Sequence, residues 1–87
     1  DDNVTREEMA VMLCNYARFE GIKVSSSQSL NKFKDYKNTT AYAIPSMKWV
    51  VEKGILSGTE DNRLNPIADA SRAECAKMLL QSYKIIK

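Results

Sequence analysis

The apolar positions fall into three helical stretches separated by long polar connections. Met9, Met12, Leu13, Tyr16 and Ala17 recur at i, i+3, i+4, i+7 and i+8, the spacing of one helix face. Thr5 and Glu8 stand just before that face. Thr-x-x-Glu is the capping-box pattern, in which hydroxyl and carboxylate satisfy each other's orphan backbone donors. A first helix is therefore predicted from Thr5, with Gly21 as its stop. A second is predicted over about residues 41–53, with Ile44, Met47, Trp49, Val50 and Val51 on its buried side and Gly54 at its end. Pro45 fits only in the first turn, where its missing N–H has no intrahelical partner to lose. Thr39 or Thr40 is the predicted N-cap. A third helix begins at Ser71, with Glu74 completing another capping box. Cys75, Met78, Leu79 and Ser82 continue one of its faces, with Ala76 and Leu80 beside it.

The connections carry their own signals. Residues 23–32, KVSSSQSLNK, are Ser-rich and lack periodicity, so they read as a polar surface connector. Phe33 follows as an anchor into the core. GILSGTEDNRLNP is turn-rich: Ile55 and Leu56 are expected to point inward, and Gly58 to supply a left-handed backbone position. No stretch reads as a long strand. The predicted class is all-α: a small helical repeat domain of helix–loop–helix units with long structured loops.

The starts of the first and third helices are nearly the same phrase. Over DNVTREEMAVMLC and ADASRAECAKMLL, Thr5 meets Ser71, Arg6 meets Arg72, Glu8 meets Glu74, Ala10 meets Ala76, Met12 meets Met78 and Leu13 meets Leu79. Such self-similarity is the signature of repeat architectures. The cap residues have a complete structural explanation, but the arginines do not. Arg6 and Arg72 take the first helical position, where the positive end of the helix dipole disfavours a cation by about 0.3–1 kcal/mol. Two readings stay open: an ion pair with a loop acid such as Asp2, Asp61 or Asp69, or a fork that receives a carboxylate or phosphate ligand.

Composition narrows the classes. The 87 residues contain no histidine, two cysteines and a net charge of +2. A chain this short buries only about 60–65% of its unfolded surface, so one small domain is expected. The low charge and scattered Lys and Arg give no footprint for nucleic acid. Without histidine the commonest general base and metal ligand are missing. Cys14 and Cys75 lack the CxxC spacing of a zinc site. Each reads as a buried free thiol, a disulfide between them being the alternative. EDNRLNP does not match EF-hand spacing. No activated nucleophile or Gly-rich phosphate loop is present, so an enzyme is not expected, and neither is a cofactor or a metal. No apolar run reaches membrane-spanning length, and none reads as a signal peptide. The chain opens on a helix start and is read as a piece of a longer protein.

These motifs carry a resemblance. TREEMAVML and SRAECAKML resemble the TRAE motif of S-layer homology repeats. From Phe33 onward the order of elements also resembles one whole repeat: F-x-D (Phe33, Asp35), Tyr42-Ala43 and a helix, G-I-x-x-G (Gly54, Ile55, Gly58), an acidic loop, and the final motif. Three positions depart from the family pattern: Ser71 for Thr, Ala70 for Ile, and Leu64 for Phe in F-x-P. The resemblance implies three parts: residues 1–22 as the C-terminal half of a preceding repeat, residues 23–32 as a connector, and residues 33–87 as a complete repeat.

It also implies a role. Such domains anchor exported bacterial proteins by binding secondary cell-wall polysaccharide, often through a pyruvate ketal. Repeats assemble with pseudo-threefold symmetry around ligand grooves. That would place the parent protein outside the cell, at the cell wall or S-layer, with wall polysaccharide and adjacent repeats as partners. Arg6 and Arg72 are then candidates for the anionic group, which matches their placement at helix starts. Trp49 is a candidate platform for a sugar ring, its alternative being a core residue. Asp35 would accept sugar hydroxyls or cap the turn after Phe33. Gly58 would let backbone approach the sugar or simply make a turn. The competing class is a structural or protein-interaction fragment without glycan binding. One and a half repeats leave an uncovered apolar face and an opening for self-association.

Overall fold

Both capping boxes form. The computed structural model describes residues 4–26, 29–59 and 61–86. In it Thr5 N–H donates to Glu8 Oε1 at 2.9 Å, and Glu8 N–H returns a bond to Thr5 Oγ at 3.2 Å. Ser71 and Glu74 repeat this reciprocal pair at 2.8 and 3.1 Å. They start helices α1, Arg6–Phe19, and α3, Arg72–Ile86. Helix α2, Ile44–Glu52, lies between them, and short 3-10 turns occupy Tyr36–Asn38 and Ala41–Ala43. Among the described residues there is no strand, only an isolated antiparallel bridge between Thr5 and Asp69. The all-α expectation agrees with these elements.

The stops are where the glycines placed them. α1 ends with Ile22 N–H donating to Ala17 O and Gly21 N–H to Arg18 O, with Gly21 at φ 86°. α2 ends with the same bond pair, Ile55 to Val50 and Gly54 to Val51, with Gly54 at φ 74°. This is the Schellman closure, whose left-handed residue favours glycine.

The start of α2 differs from expectation. Pro45 has no N–H to give to Ala41 O, so an α-helix cannot run through residues 41–44. Ala41 O instead accepts from Ile44 N–H, and Ala43 N–H donates to Thr40 O, which makes a 3-10 turn ahead of the helix. Neither threonine caps with its side chain. Thr39 is buried, and the Thr40 hydroxyl is engaged elsewhere.

Helix α1 packs mainly on α2 and its leading turn. The core joins Ala10, Leu13, Cys14 and Ala17 of α1 with Ala43, Met47, Trp49 and Val50, and with Phe33, Ile55, Leu56 and Leu64 from the connections. Cys14 Sγ donates weakly to Ser46 O at 3.8 Å, and burial pushes its thiol above the ordinary range. Both cysteines are free, so the disulfide alternative falls. The radius of gyration is 12.0 Å, about what a compact chain of this length gives. The long connections are therefore packed against the helices.

Two helix faces differ from the expected ones. Met12 and Tyr16, placed inside by periodicity, are exposed, and the buried stripe of α1 turns toward Ala10 and Cys14. Leu79 and Leu80 of α3 are likewise exposed, while Met78 and Ser82 are buried. The apolar residues of each helix wrap more than one face, and neighbours distant in sequence choose which is covered.

Candidate functional site

The N-terminus of α1 is closed by another part of the chain. Arg6 N–H donates to Ala68 O at 3.0 Å and Glu7 N–H to Pro66 O at 2.8 Å, while Ala70 N–H donates to Val4 O at 2.7 Å. Together with the capping box, these bonds satisfy the amides of the first turn that lack intrahelical acceptors. The open anion-binding end expected of a helix start is thus absent from α1.

Arg6 has a partner, but not a loop acid. Its guanidinium bonds Glu74, the capping glutamate of α3. One carboxylate serves two helices, since Glu74 Oε1 accepts from Ser71 N–H and Oε2 from Arg6. The Ser71 N–H, and after it the Arg6 guanidinium, hold the Glu74 carboxyl below the ordinary glutamate range. Of the acids considered as partners, Asp61 bonds Thr59 and Arg63. Asp2 lies outside the described residues, as does Glu60 of the acidic loop.

Beside this pair runs a groove of about 180 Å³ lined by Arg6, Leu56, Gly58, Thr59, Glu74 and Lys77, among others. Across the 56–59 segment a second groove, of about 380 Å³, is lined by Lys32, Phe33, Gly58, Thr59 and Asn62. Lys32 Nζ stands 5.3 Å from the centre of the Phe33 ring, within cation–π range. Residues 56–59 are thus a shared wall with lysine or arginine, hydroxyls and apolar side chains on both sides.

The structure brings Arg6 and Gly58 together in the smaller groove and leaves the other candidates outside it. Gly58 is not at positive φ, contrary to expectation; the left-handed residues of this loop are Asn62 and Asn65, at φ 62° and 50°. Asparagine tolerates that region better than most residues. What Gly58 provides is closeness: a Cβ there would lie 2.5 Å from the Phe33 ring. Trp49 is 0% exposed and offers no face to a sugar. Its Nε1 is buried without a hydrogen-bond partner among the described residues. The core reading of Trp49 replaces the platform reading. Asp35 neither caps the turn with its side chain nor stands open. Its carboxylate accepts from Leu64 N–H at 2.7 Å and Asn65 N–H at 2.8 Å, tying the Phe33 turn to the loop before α3. Arg72 is exposed and makes no ion pair among the described residues.

Three residues of this region escaped the sequence reading. Lys77 lies three positions after Glu74, a spacing that puts both on one helix face and made it findable. Glu74 was assigned only a cap. Glu7 stands beside the capping Glu8 in the first turn of α1. It is 5% exposed and accepts from Thr40 N–H at 2.9 Å and Thr40 Oγ at 2.5 Å. No local signal marks Glu7, because its partner is 33 residues away.

A family model for the S-layer homology domain matches residues 32–76, just over half of the chain. The chain belongs to the S-layer homology domain family. The matched span runs from the connector's last residue through the 56–59 wall to the third helix, so it holds Glu74 and Arg72 but not Arg6. Neither the curated proteins nor the solved structures contain a significant match. S-layer homology domains are non-catalytic modules that anchor exported proteins at the cell wall, where they bind polysaccharide. Among the described residues no helix is long and apolar enough to cross a membrane, and no cluster of acidic residues and cysteines suits a metal ion.

Proposed function

We propose that this S-layer homology chain retains an exported bacterial protein at the cell surface by binding secondary cell-wall polysaccharide, with a pyruvate ketal as the anionic group recognised. The observation that carries the reading is the groove between Arg6 and the 56–59 segment, which sets Arg6 and Lys77 beside backbone and hydroxyl groups. A ketal carboxylate needs a cation. The guanidinium can meet it while still bonding Glu74, because it has more N–H groups than one carboxylate oxygen uses. Of the residues first considered, Arg6 and Gly58 build this groove; Arg72 belongs to it only by analogy, and Asp35 supports it from behind through the Leu64 and Asn65 amides.

The test is co-sedimentation with isolated cell-wall sacculi before and after mild acid removes pyruvate. Lys77→Ala and Arg6→Ala are each expected to weaken binding about tenfold, the loss of one charge-assisted contact. Acid treatment of the sacculi should do the same to the parent. If both variants sediment as the parent does, the groove is not the glycan site. The second reading, a protein-interaction repeat without glycan binding, is favoured by one observation, the engagement of Arg6 by Glu74.

A further inference from the structure

The Arg6 groove has a charge balance of its own. Among the residues that line it, Arg6 and Lys77 are the cations and Glu74 is the acid; the others carry no charge. Acids close by in sequence are engaged elsewhere. Glu7 accepts from Thr40, Glu8 closes the box with Thr5, and Asp61 pairs with Arg63. Lys32 stands across the 56–59 wall, over the Phe33 ring. The lining therefore presents one net positive charge instead of two.

The negative member of that balance is fixed in place. Glu74 Oε1 accepts from Ser71 N–H at 2.8 Å, and the Glu74 N–H donates to Ser71 Oγ at 3.1 Å. Its Oε2 holds Arg6. Swinging the carboxylate out of the groove would open half the capping box of α3 and strip Arg6 of its partner in one motion. Ser71 N–H, and after it Arg6, hold the carboxyl below the ordinary glutamate range, so it stays ionised at neutral pH. The start of α1 adds no attraction, because its amides are taken by the Pro66 and Ala68 carbonyls. An anion that reaches Arg6 thus meets a stationary negative charge beside it.

We propose that Glu74 selects the anion this groove takes: its fixed charge admits a singly charged carboxylate and turns away a doubly charged phosphate monoester. The proposal rests on the glycan reading of the groove and adds to it a choice between anions. Coulomb repulsion grows in proportion to the charge of the ligand. A phosphate monoester carries about −1.5 to −2 at neutral pH, where a carboxylate carries a single charge. The repulsive free energy from Glu74 is thus about twice as large for the phosphate. In affinity, the factor lost by a carboxylate is about squared for a phosphate. The cap and the selection come from one side chain, so the charge that starts α3 also sets what Arg6 accepts.

The test displaces the chain from cell-wall sacculi with two competitors, a methyl mannoside carrying a pyruvate ketal and the same mannoside carrying a phosphate monoester. It is run at about pH 8, above the second phosphate ionisation near 6. The parent is expected to yield to the ketal at a concentration about tenfold lower than to the phosphate. Glu74→Gln keeps the capping box, since glutamine serves at that position as glutamate does, and helix content checks that it does. This variant should narrow the ratio to about threefold. Adding Lys77→Gln brings the net charge back to one and should restore the parent's ratio. Lys77→Gln alone, which touches no cap, should widen it to about thirtyfold. An unchanged ratio in Glu74→Gln, a parent that prefers the phosphate, or a parent that neither sugar displaces would overturn the proposal and leave binding to sacculi standing. A parent that does not sediment with sacculi at all removes the glycan reading, and the proposal with it.

Discussion

Helices α1 and α3 begin with almost the same letters and live in different surroundings. Thr5 and Ser71 cap in the same way, and Glu8 and Glu74 close the same box. Beyond that first turn they part. Leu13 is 3% exposed and its counterpart Leu79 is 52% exposed. Arg6 is held by Glu74, and Arg72 stands in solvent. α3 buries instead the stripe of Met78 and Ser82, which aligns with the exposed Met12 and Tyr16 of α1. A repeated motif therefore specifies how a helix starts but not what covers it. That is decided by whichever stretch of chain follows and folds back. α1 has residues 40–74 over it, and among the described residues nothing plays that part for α3.

The largest expected effect follows directly. Leu13→Ala should destabilise the chain by about 2–5 kcal/mol, the range for a large-to-small change in a closed core. Leu79→Ala, the same chemistry at the aligned position, should stay within about 0.5 kcal/mol, as exposed substitutions do. Denaturant melts of the two variants measure the contrast. Similar losses in both would mean that the α3 stripe is already covered in solution, and the comparison would collapse.

Glu7 against Ala73 comes next. Glu7→Ala removes two bonds from Thr40 and leaves the Thr40 N–H without its acceptor in a half-buried place. A loss of about 2 kcal/mol is expected, because hydrogen bonds to charged groups are worth about 1.5–3 kcal/mol each before relaxation. Thr40→Val should recover part of that loss in the double variant, since the two side chains act as one unit. Additive effects in that cycle would show that Glu7 stabilises α1 by some other contact.

The same contrast explains what the sequence disclosed. Capping boxes and Schellman stops are written within four to six consecutive residues, so Thr5, Glu8, Gly21, Gly54, Ser71 and Glu74 were legible in their structural roles. Phe33, Ile55 and Leu56 were legible as anchors because they are isolated apolar residues in polar connections. The covered face of each helix was not legible. Met12 and Leu13 satisfy the same periodicity, and only a partner more than 25 residues away separates them. The left-handed positions of the loop were assigned to glycine, the commonest choice, when two asparagines supply them. The site was read least well, for the same reason. Arg6 and Glu74 are 68 residues apart, and each already had a local explanation or a local penalty that concealed the pairing. Trp49 shows the converse: a residue type suited to sugars was taken by the core, beside Met47 and Val50 of the same helix.

The smallest effect expected is the sharpest test of whether the two arginines differ. The Arg6 side chain is 15% exposed and its partner Glu74 39%, so solvent screens the pair and Arg6→Ala should cost only about 0.5–1 kcal/mol. Arg72→Ala should change stability by less than the error of the melt, since no pair is broken. Acid gives a second reading. The Glu74 carboxyl is held below 4.5, the ordinary glutamate value, by Ser71 N–H and then by Arg6. A carboxyl with a folded value below its unfolded one contributes stability above the unfolded value and loses it as pH falls through the folded one. The parent should therefore weaken as pH falls below the ordinary glutamate range, and Arg6→Ala should weaken less steeply, because part of what depresses Glu74 is gone. Arg72→Ala should follow the parent's slope throughout. If all three slopes coincide, Glu74 feels only its own helix cap, and Arg6 is free to meet a ligand as fully as Arg72 is.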